Sequence, residues 1–132
     1  MLPHPLAVHF PLALWLTSAV FDVLACRQAD PLYRRAAYWL VGLGLLGALV
    51  SIALGWIDLL VQERVGVGTG LVLRHRLHSG MAYVASVVYG MNFGWRWWTE
   101  SRMSGTLLTL SLVGAVLVAI AGYLGGDLRG VM

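Results

Sequence analysis

Four long apolar runs determine what this chain can fold into. They cover about residues 5–25, 36–57, 77–98 and 104–125, and the second and fourth contain no charged residue. A bilayer crossing needs roughly 20 apolar residues, and backbone polar groups in hydrocarbon must be paired within the protein. The four runs are therefore predicted to be transmembrane helices.

The composition excludes most other classes of protein. Of the 132 residues, 59% are hydrophobic and 11% are charged, whereas an ordinary soluble domain is about 25% charged. Four crossings take about 80 residues, which leaves room only for ends and connections. We therefore predict an all-α fold, an integral membrane four-helix bundle of up-down-up-down topology that forms a single domain over residues 1–132.

The basic residues lie at the ends of the apolar runs. All nine are arginines, and they do not cluster on one polar face as nucleic-acid binding would require. We interpret them as membrane flanks, which makes the lipid bilayer a partner and excludes nucleic acid. The single Cys26 cannot form an internal disulfide, and the absence of a CxxCH motif excludes covalent c-type haem.

The arginines also predict an orientation. The face that carries both termini has four of them, and the opposite face has five: Arg27, Arg34, Arg35, Arg96 and Arg102. Cytoplasmic faces carry the excess of basic residues. We therefore expect a multi-pass protein of the bacterial inner membrane, with both termini on the periplasmic side.

Small residues at four-residue spacing occur in the predicted helices. The clearest series is in the third helix: Ala82, Ser86, Gly90 and Gly94. Such series let membrane helices approach closely. They predict a tightly packed bundle, and a groove for a flat cofactor is the alternative reading.

All the histidines are predicted to lie on one side of the membrane. His4 and His9 open the first helix, whereas His75 and His78 open the third. In an up-down-up-down bundle these two helices run in the same direction. Asp58 ends the second helix on that side, and Asp127 follows the fourth. All four histidines and two carboxylates are thus predicted to cluster on the periplasmic side.

The deeper histidines are candidate haem ligands. His9 lies about 7.5 Å deeper than His4, and His78 about 4.5 Å deeper than His75, at the helical rise per residue. Imidazoles on both faces of a macrocycle give a six-coordinate, electron-transferring haem. We predict one haem b bound by His9 and His78. Small residues that follow these histidines, Ala13, Ala82 and Ser86, are predicted to contact the haem. Arg74 and Arg76 could pair with its propionates.

Other readings of the cluster stay open. His4 and His75 are further candidate ligands, which allows a second haem, or they are ordinary interfacial histidines. A zinc or copper site with Asp58 lacks the thiolates or the His-x-His spacing such sites use. A cofactor-free structural or assembly subunit fits the small size. The sequence contains no nucleophile–base pattern, so we expect an electron-transfer subunit rather than an enzyme.

Several motifs carry a family resemblance. The sequence HPLAVHFPLAL at residues 4–14 resembles the HPxxVHFPIAL signature of a bacterial membrane family, domain of unknown function 2231. GWID at 55–58 is similar to its Gly-x-x-Asp motif, His78 matches its third-helix histidine, and GGDL at 125–128 resembles its GGxL ending. Asn92 resembles a later family asparagine at a different spacing. The resemblance covers almost the whole chain.

The resemblance implies a four-helix membrane domain with an electron-transfer role, since some relatives are fused to Rieske-type iron–sulfur domains. It marks His4, His9, Asp58, His78, Gly125 and Gly126, and it does not mark His75. Asp127 departs from the family, in which a small or basic residue is common at that position. We expect electrons to pass between a quinol or iron–sulfur donor and another carrier, with the other subunits of a membrane redox complex, and quinone, as partners.

Overall fold

A computed structural model of the chain describes residues 4–65 and 69–127. They form four helices: α1 His4–Arg27, α2 Pro31–Val65, α3 Thr69–Trp98 and α4 Gly105–Asp127. The predicted all-α four-helix bundle is confirmed.

Side-chain caps determine where α2 and α4 begin. The Asp30 carboxylate accepts a hydrogen bond from the Leu32 amide at 2.8 Å, and proline at the first helical position needs no amide partner. Ser104 caps α4 in the same way, since its hydroxyl accepts from the Leu107 amide at 3.2 Å. Because of its cap, α2 begins at Pro31 rather than at the predicted residue 36.

The end of α2 and the beginning of α3 also differ from the prediction. Their apolar runs were expected to end at 57 and to begin at 77, but α2 continues to Val65 and α3 begins at Thr69. Charged residues such as Arg64 and Arg74 end an apolar run without ending a helix. Glutamate, glutamine, arginine and leucine are good helix formers, and no proline interrupts this segment.

Two aromatic rings form the centre of the bundle. Trp15 stacks on Tyr89 with ring centroids 4.2 Å apart and planes 9° apart, and the Tyr89 hydroxyl donates to the Trp15 carbonyl at 3.3 Å. The Trp15 indole N–H donates to the Val41 carbonyl of α2 at 3.3 Å. The same indole lies directly against Gly44.

Pairs of contacting residues give the helix directions. Phe10 lies against Gly47 and Trp15 against Gly44, so α1 and α2 are antiparallel. Trp15 stacks on Tyr89, and farther along both helices Asp22 forms an ion pair with Arg96. The contacting residue numbers rise together, so α1 and α3 run in the same direction. Tyr89 lies against Gly114 and His78 against Gly125, so α4 runs opposite to α3. The topology is therefore up-down-up-down, as predicted.

Adding one methyl group at Gly44 should destabilise the bundle. A Cβ atom there would overlap the Trp15 ring, and overpacking of a core typically costs about 1–3 kcal/mol. Gly90 is the matched control, because a Cβ atom at that position would have nothing within 4 Å. In thermal unfolding of the detergent-solubilised protein, Gly44→Ala should lower the midpoint, whereas Gly90→Ala should leave it unchanged or raise it slightly, because alanine is the better helix former. Equal midpoints for the two variants would contradict this packing.

Three of the described helices are long and apolar enough to cross a membrane: Leu6–Arg27, Pro31–Val61 and Gly105–Gly126. The fourth, α3, is more polar because it carries groups such as Asn92 and Arg96, and both are fully buried inside the bundle. Its outward residues, among them Val84, Val87 and Met91, are exposed and apolar. An apolar outer face fits a fourth membrane crossing.

Candidate functional site

A cavity of about 630 Å³ opens between the helices at the histidine end of the bundle. All four helices contribute to its wall, which is mostly apolar. Its polar lining includes His9 from α1, Asp58 from α2, and His75 and His78 from α3. The predicted convergence of these groups is therefore found in the structure.

His78 is held by the backbone of α4. Its Nδ1 lies 2.9 Å from the Ala121 carbonyl oxygen, and since a carbonyl can only accept, Nδ1 carries the hydrogen. A Cβ atom at Gly125 would lie 2.8 Å from Cε1 of the same ring. Glycine at position 125 thus makes room for the imidazole, and the carbonyl sets its tautomer and orientation.

The α1 wall of the cavity carries His9 and, deeper, Trp15. The His9 side chain is exposed, whereas Trp15 is buried at the centre of the bundle. Ala13, predicted as a cofactor contact, is also exposed and is not part of the cavity lining. Four residues advance a helix by about 400°, so Ala13 lies about 40° past His9 and faces outward.

A hydrogen bond joins α2 and α3 beside the cavity. The Trp56 indole N–H donates to the Tyr83 hydroxyl at 2.6 Å, and both residues are part of the lining. Asp58, two residues nearer the helix end than Trp56, is 5% exposed. The α2–α3 side of the cavity therefore combines two aromatic side chains with a buried carboxylate.

Two serines of the wall direct their hydroxyl groups to their own helices. Ser51 donates to the Gly47 carbonyl at 2.9 Å, and Ser86 donates to the Ala82 carbonyl at 2.8 Å. Both serines and Ala82 line the cavity. With these hydroxyl donors used, the wall at Ala82 and Ser86 is small and largely apolar, as predicted.

The arginines predicted at the rim differ in position. Arg76 is exposed and lines the cavity, whereas Arg74 is exposed outside the lining. The side chains of His4 and Asp127 lie outside the described residues, so the roles predicted for them stay predictions. Within the described part of the chain, no group of three or more His, Cys, Asp or Glu residues could hold a metal ion.

A second polar group of residues, at the opposite end of the bundle, was not predicted. Asp22, Asn92, Arg96 and Ser111 are all fully buried. Arg96 pairs with the Asp22 carboxylate, and its Nε donates to the Asn92 side-chain oxygen at 2.6 Å. The interpretation of Arg96 as a membrane flank is therefore wrong.

The Ser111 hydroxyl joins the members of this buried network. It donates to Asp22 at 2.5 Å, and it accepts from the Asn92 amide at 2.8 Å and from Arg96 at 3.2 Å. One donor and two acceptor positions are all that a hydroxyl offers. The network thus ties α1, α3 and α4 together, at about 7.5 Å from the end of α1.

Residues 3–131 match the family described as predicted membrane protein (DUF2231). The chain belongs to this family. No curated protein and no solved structure matches it. The resemblance carried by the HPLAVHFPLAL motif is thus confirmed, and this DUF2231 protein is a membrane protein in contact with lipid. The match spans both the histidine cavity and the buried network.

Proposed function

We propose that this protein is a b-type cytochrome subunit that binds one haem in the histidine cavity and relays electrons. The observation that carries the proposal is the state of His78, whose Nδ1–H is bound to the Ala121 carbonyl in a cavity that His9 also lines. Histidines that ligate metals with one ring nitrogen commonly donate the N–H of the other to a carbonyl or carboxylate, which orients the ring and raises its basicity.

The cavity suits a planar ligand in size and in chemistry. Its volume of about 630 Å³ lies within the usual range for cofactor sites, roughly 300–1,000 Å³. Small residues from α2, α3 and α4 line it, including Gly55, Ala82, Ala85, Gly122 and Gly125. Flat surfaces of this kind allow a macrocycle to approach the helices closely, so the residues present fit a haem.

His78 and His9 would hold the iron, one from α3 and one from α1. A haem held by two histidines would supply reversible one-electron transfer. The protein excludes water with the apolar wall and keeps His78 oriented through Ala121 and Gly125. Arg76 would pair with a propionate at the rim, and Asp58 would orient a polar group of the site.

The location and partners belong to the same proposal. We place the protein in a bacterial inner membrane with the cavity on the periplasmic side, beside a quinol or iron–sulfur donor in a redox complex. The cavity lies at one end of the bundle, which would bring a haem edge near a partner docked there. Short distances between carriers favour electron transfer without any bond-making step in this chain.

The proposal is tested by the cofactor content of the protein purified from membranes. We expect iron and porphyrin in equal amounts, near one of each per chain. Iron without porphyrin would favour a metal-binding membrane protein instead. Folded protein expressed with sufficient haem, yet containing neither, would favour a cofactor-free structural or assembly subunit.

A further inference from the structure

A second cavity, of about 380 Å³, lies at the end of the bundle opposite the histidines. It is formed between the beginning of α2 and the end of α3. Its lining includes three arginines and three aromatic residues: Arg34, Arg35, Arg96, Tyr38, Trp39 and Trp97. We call it the arginine cavity.

The arginine cavity has an excess of positive charge. Among the described residues, Glu100 is the one carboxylate that lines it, and Asp22 neutralises Arg96 from inside the bundle. The side chains of Arg34 and Arg35 make no hydrogen bond or ion pair with any residue in the described ranges. The cavity therefore carries cationic groups that lack an anionic partner within residues 4–65 and 69–127.

Arg96 adds a buried donor that is not used. Its side chain is fully buried, and its second terminal nitrogen has no hydrogen-bond partner among the described residues. A buried polar group without a partner is costly, and the cost is greater for a charged group. The Asp22 Oδ1 atom likewise has no partner among the described residues, so the ion pair at the inner wall of the cavity holds hydrogen-bonding groups that are not fully satisfied. The exposed Arg35 side chain and its neighbour Arg34 offer donors to a ligand with acceptor oxygens.

The surroundings place the arginine cavity at the level of lipid headgroups. Trp39 and Trp97 are 62% and 73% exposed, and they lie at the ends of the apolar parts of α2 and α3. Tryptophan is enriched where the bilayer meets water. Basic pockets between helices at this depth recognise phosphate-bearing headgroups.

We infer that the arginine cavity binds the phosphate of a net-anionic phospholipid headgroup. Arginine presents paired N–H groups that match two phosphate oxygens, and such charge-assisted pairs are among the stronger hydrogen bonds in proteins. Arg34 and Arg35 provide these groups at the mouth of the cavity. Arg96 contributes to the inner wall of the cavity, where its ion pair with Asp22 keeps the guanidinium in place.

Native mass spectrometry of the detergent-purified protein tests this inference. Phosphatidylglycerol, phosphatidylcholine and inorganic phosphate are added separately at equal phosphate concentration. We expect one retained phosphatidylglycerol per chain and much less of the other two. The double variant Arg34→Gln/Arg35→Gln should weaken phosphatidylglycerol binding at least about tenfold, because it removes two charge-assisted contacts.

The matched control is Arg27→Gln/Arg102→Gln. It removes the same charge at the same end of the bundle, from exposed residues that do not line the arginine cavity. Binding should stay within about twofold of the unmodified protein, since these contacts are only nonspecific surface attraction. Equal losses in the two double variants would overturn the site. Equal binding of phosphatidylcholine would overturn its charge preference, and equal binding of inorganic phosphate would overturn its assignment to lipid.

Discussion

Replacing Arg96 with leucine should sharply reduce the stability of the folded bundle. The substitution leaves the Asp22 carboxylate fully buried without its cation, and among residues 4–65 and 69–127 only the Ser111 hydroxyl still donates to it. Removing one partner of a buried ion pair typically costs about 3–5 kcal/mol. Reversible unfolding in mixed detergent micelles, followed by circular dichroism, measures this loss in the free energy of unfolding.

A double variant distinguishes the effect of breaking the ion pair from the effect of losing the packing of the Arg96 side chain. Asp22→Leu/Arg96→Leu removes both charges, and buried pairs replaced by apolar residues often lose little stability. The double variant should therefore be more stable than Arg96→Leu alone by at least about 1 kcal/mol, because it leaves no uncompensated charge inside the bundle. Arg102→Leu, at an exposed position in the turn after α3, is the control and should change stability by less than about 0.5 kcal/mol. Similar values for Arg96→Leu and Arg102→Leu would show that the network does not hold the bundle together.

The second large effect is expected at the proposed haem ligands. His78→Ala removes the imidazole that Ala121 orients, and His9→Ala removes the one on the opposite wall. Loss of a group that only supports a ligand already costs roughly 10–100-fold in metal affinity, so loss of the ligand itself should cost at least that much. The amount of haem per folded chain, measured after purification, should fall by about tenfold or more in each variant, in line with that loss of affinity.

His75→Ala is the closest control for these variants. His75 lines the same cavity one turn from His78, so the change removes an imidazole of the same cavity without removing a proposed ligand. Haem content should stay near that of the unmodified protein, as it should in Arg27→Ala at the far end. Full haem content in both His9→Ala and His78→Ala would show that the ligand assignment is wrong.

The fold was predictable because each apolar run is long enough to be one helix. Helix ends were less predictable, since they depend on local caps and on helix propensity rather than on hydropathy. Asp30 and Pro31 begin α2 before its apolar run does, and Arg64 lies within α2 beyond that run.

The histidine cavity could be inferred because depth along a helix follows directly from residue number. The face of the helix on which a residue lies was harder to predict than its depth. A four-residue series drifts by about 40° at each step, so Ala82 and Ser86 line the cavity, whereas Gly90 and Gly94 are exposed and a Cβ atom at either would have nothing within 4 Å. The drift likewise turns Ala13 away from the cavity.

The Asp22–Arg96 network was missed because it depends on how three helices are aligned with one another. The sequence did contain a signal. Asp22 is the one charged residue in the first apolar run, and Asn92 and Arg96 are spaced four apart, on one face of α3. A charge within a membrane helix is costly unless it is paired, so Asp22 required a buried cation.

The optical spectrum of the protein extracted from membranes tests the proposed function most directly. A b-type cytochrome with two histidine ligands has an intense Soret band, and on reduction it shows separate α and β bands. We predict this spectrum at about one haem per chain, as expected for a single bis-histidine site. A folded, fully expressed protein with neither the Soret band nor the reduced α and β bands would contradict the proposal.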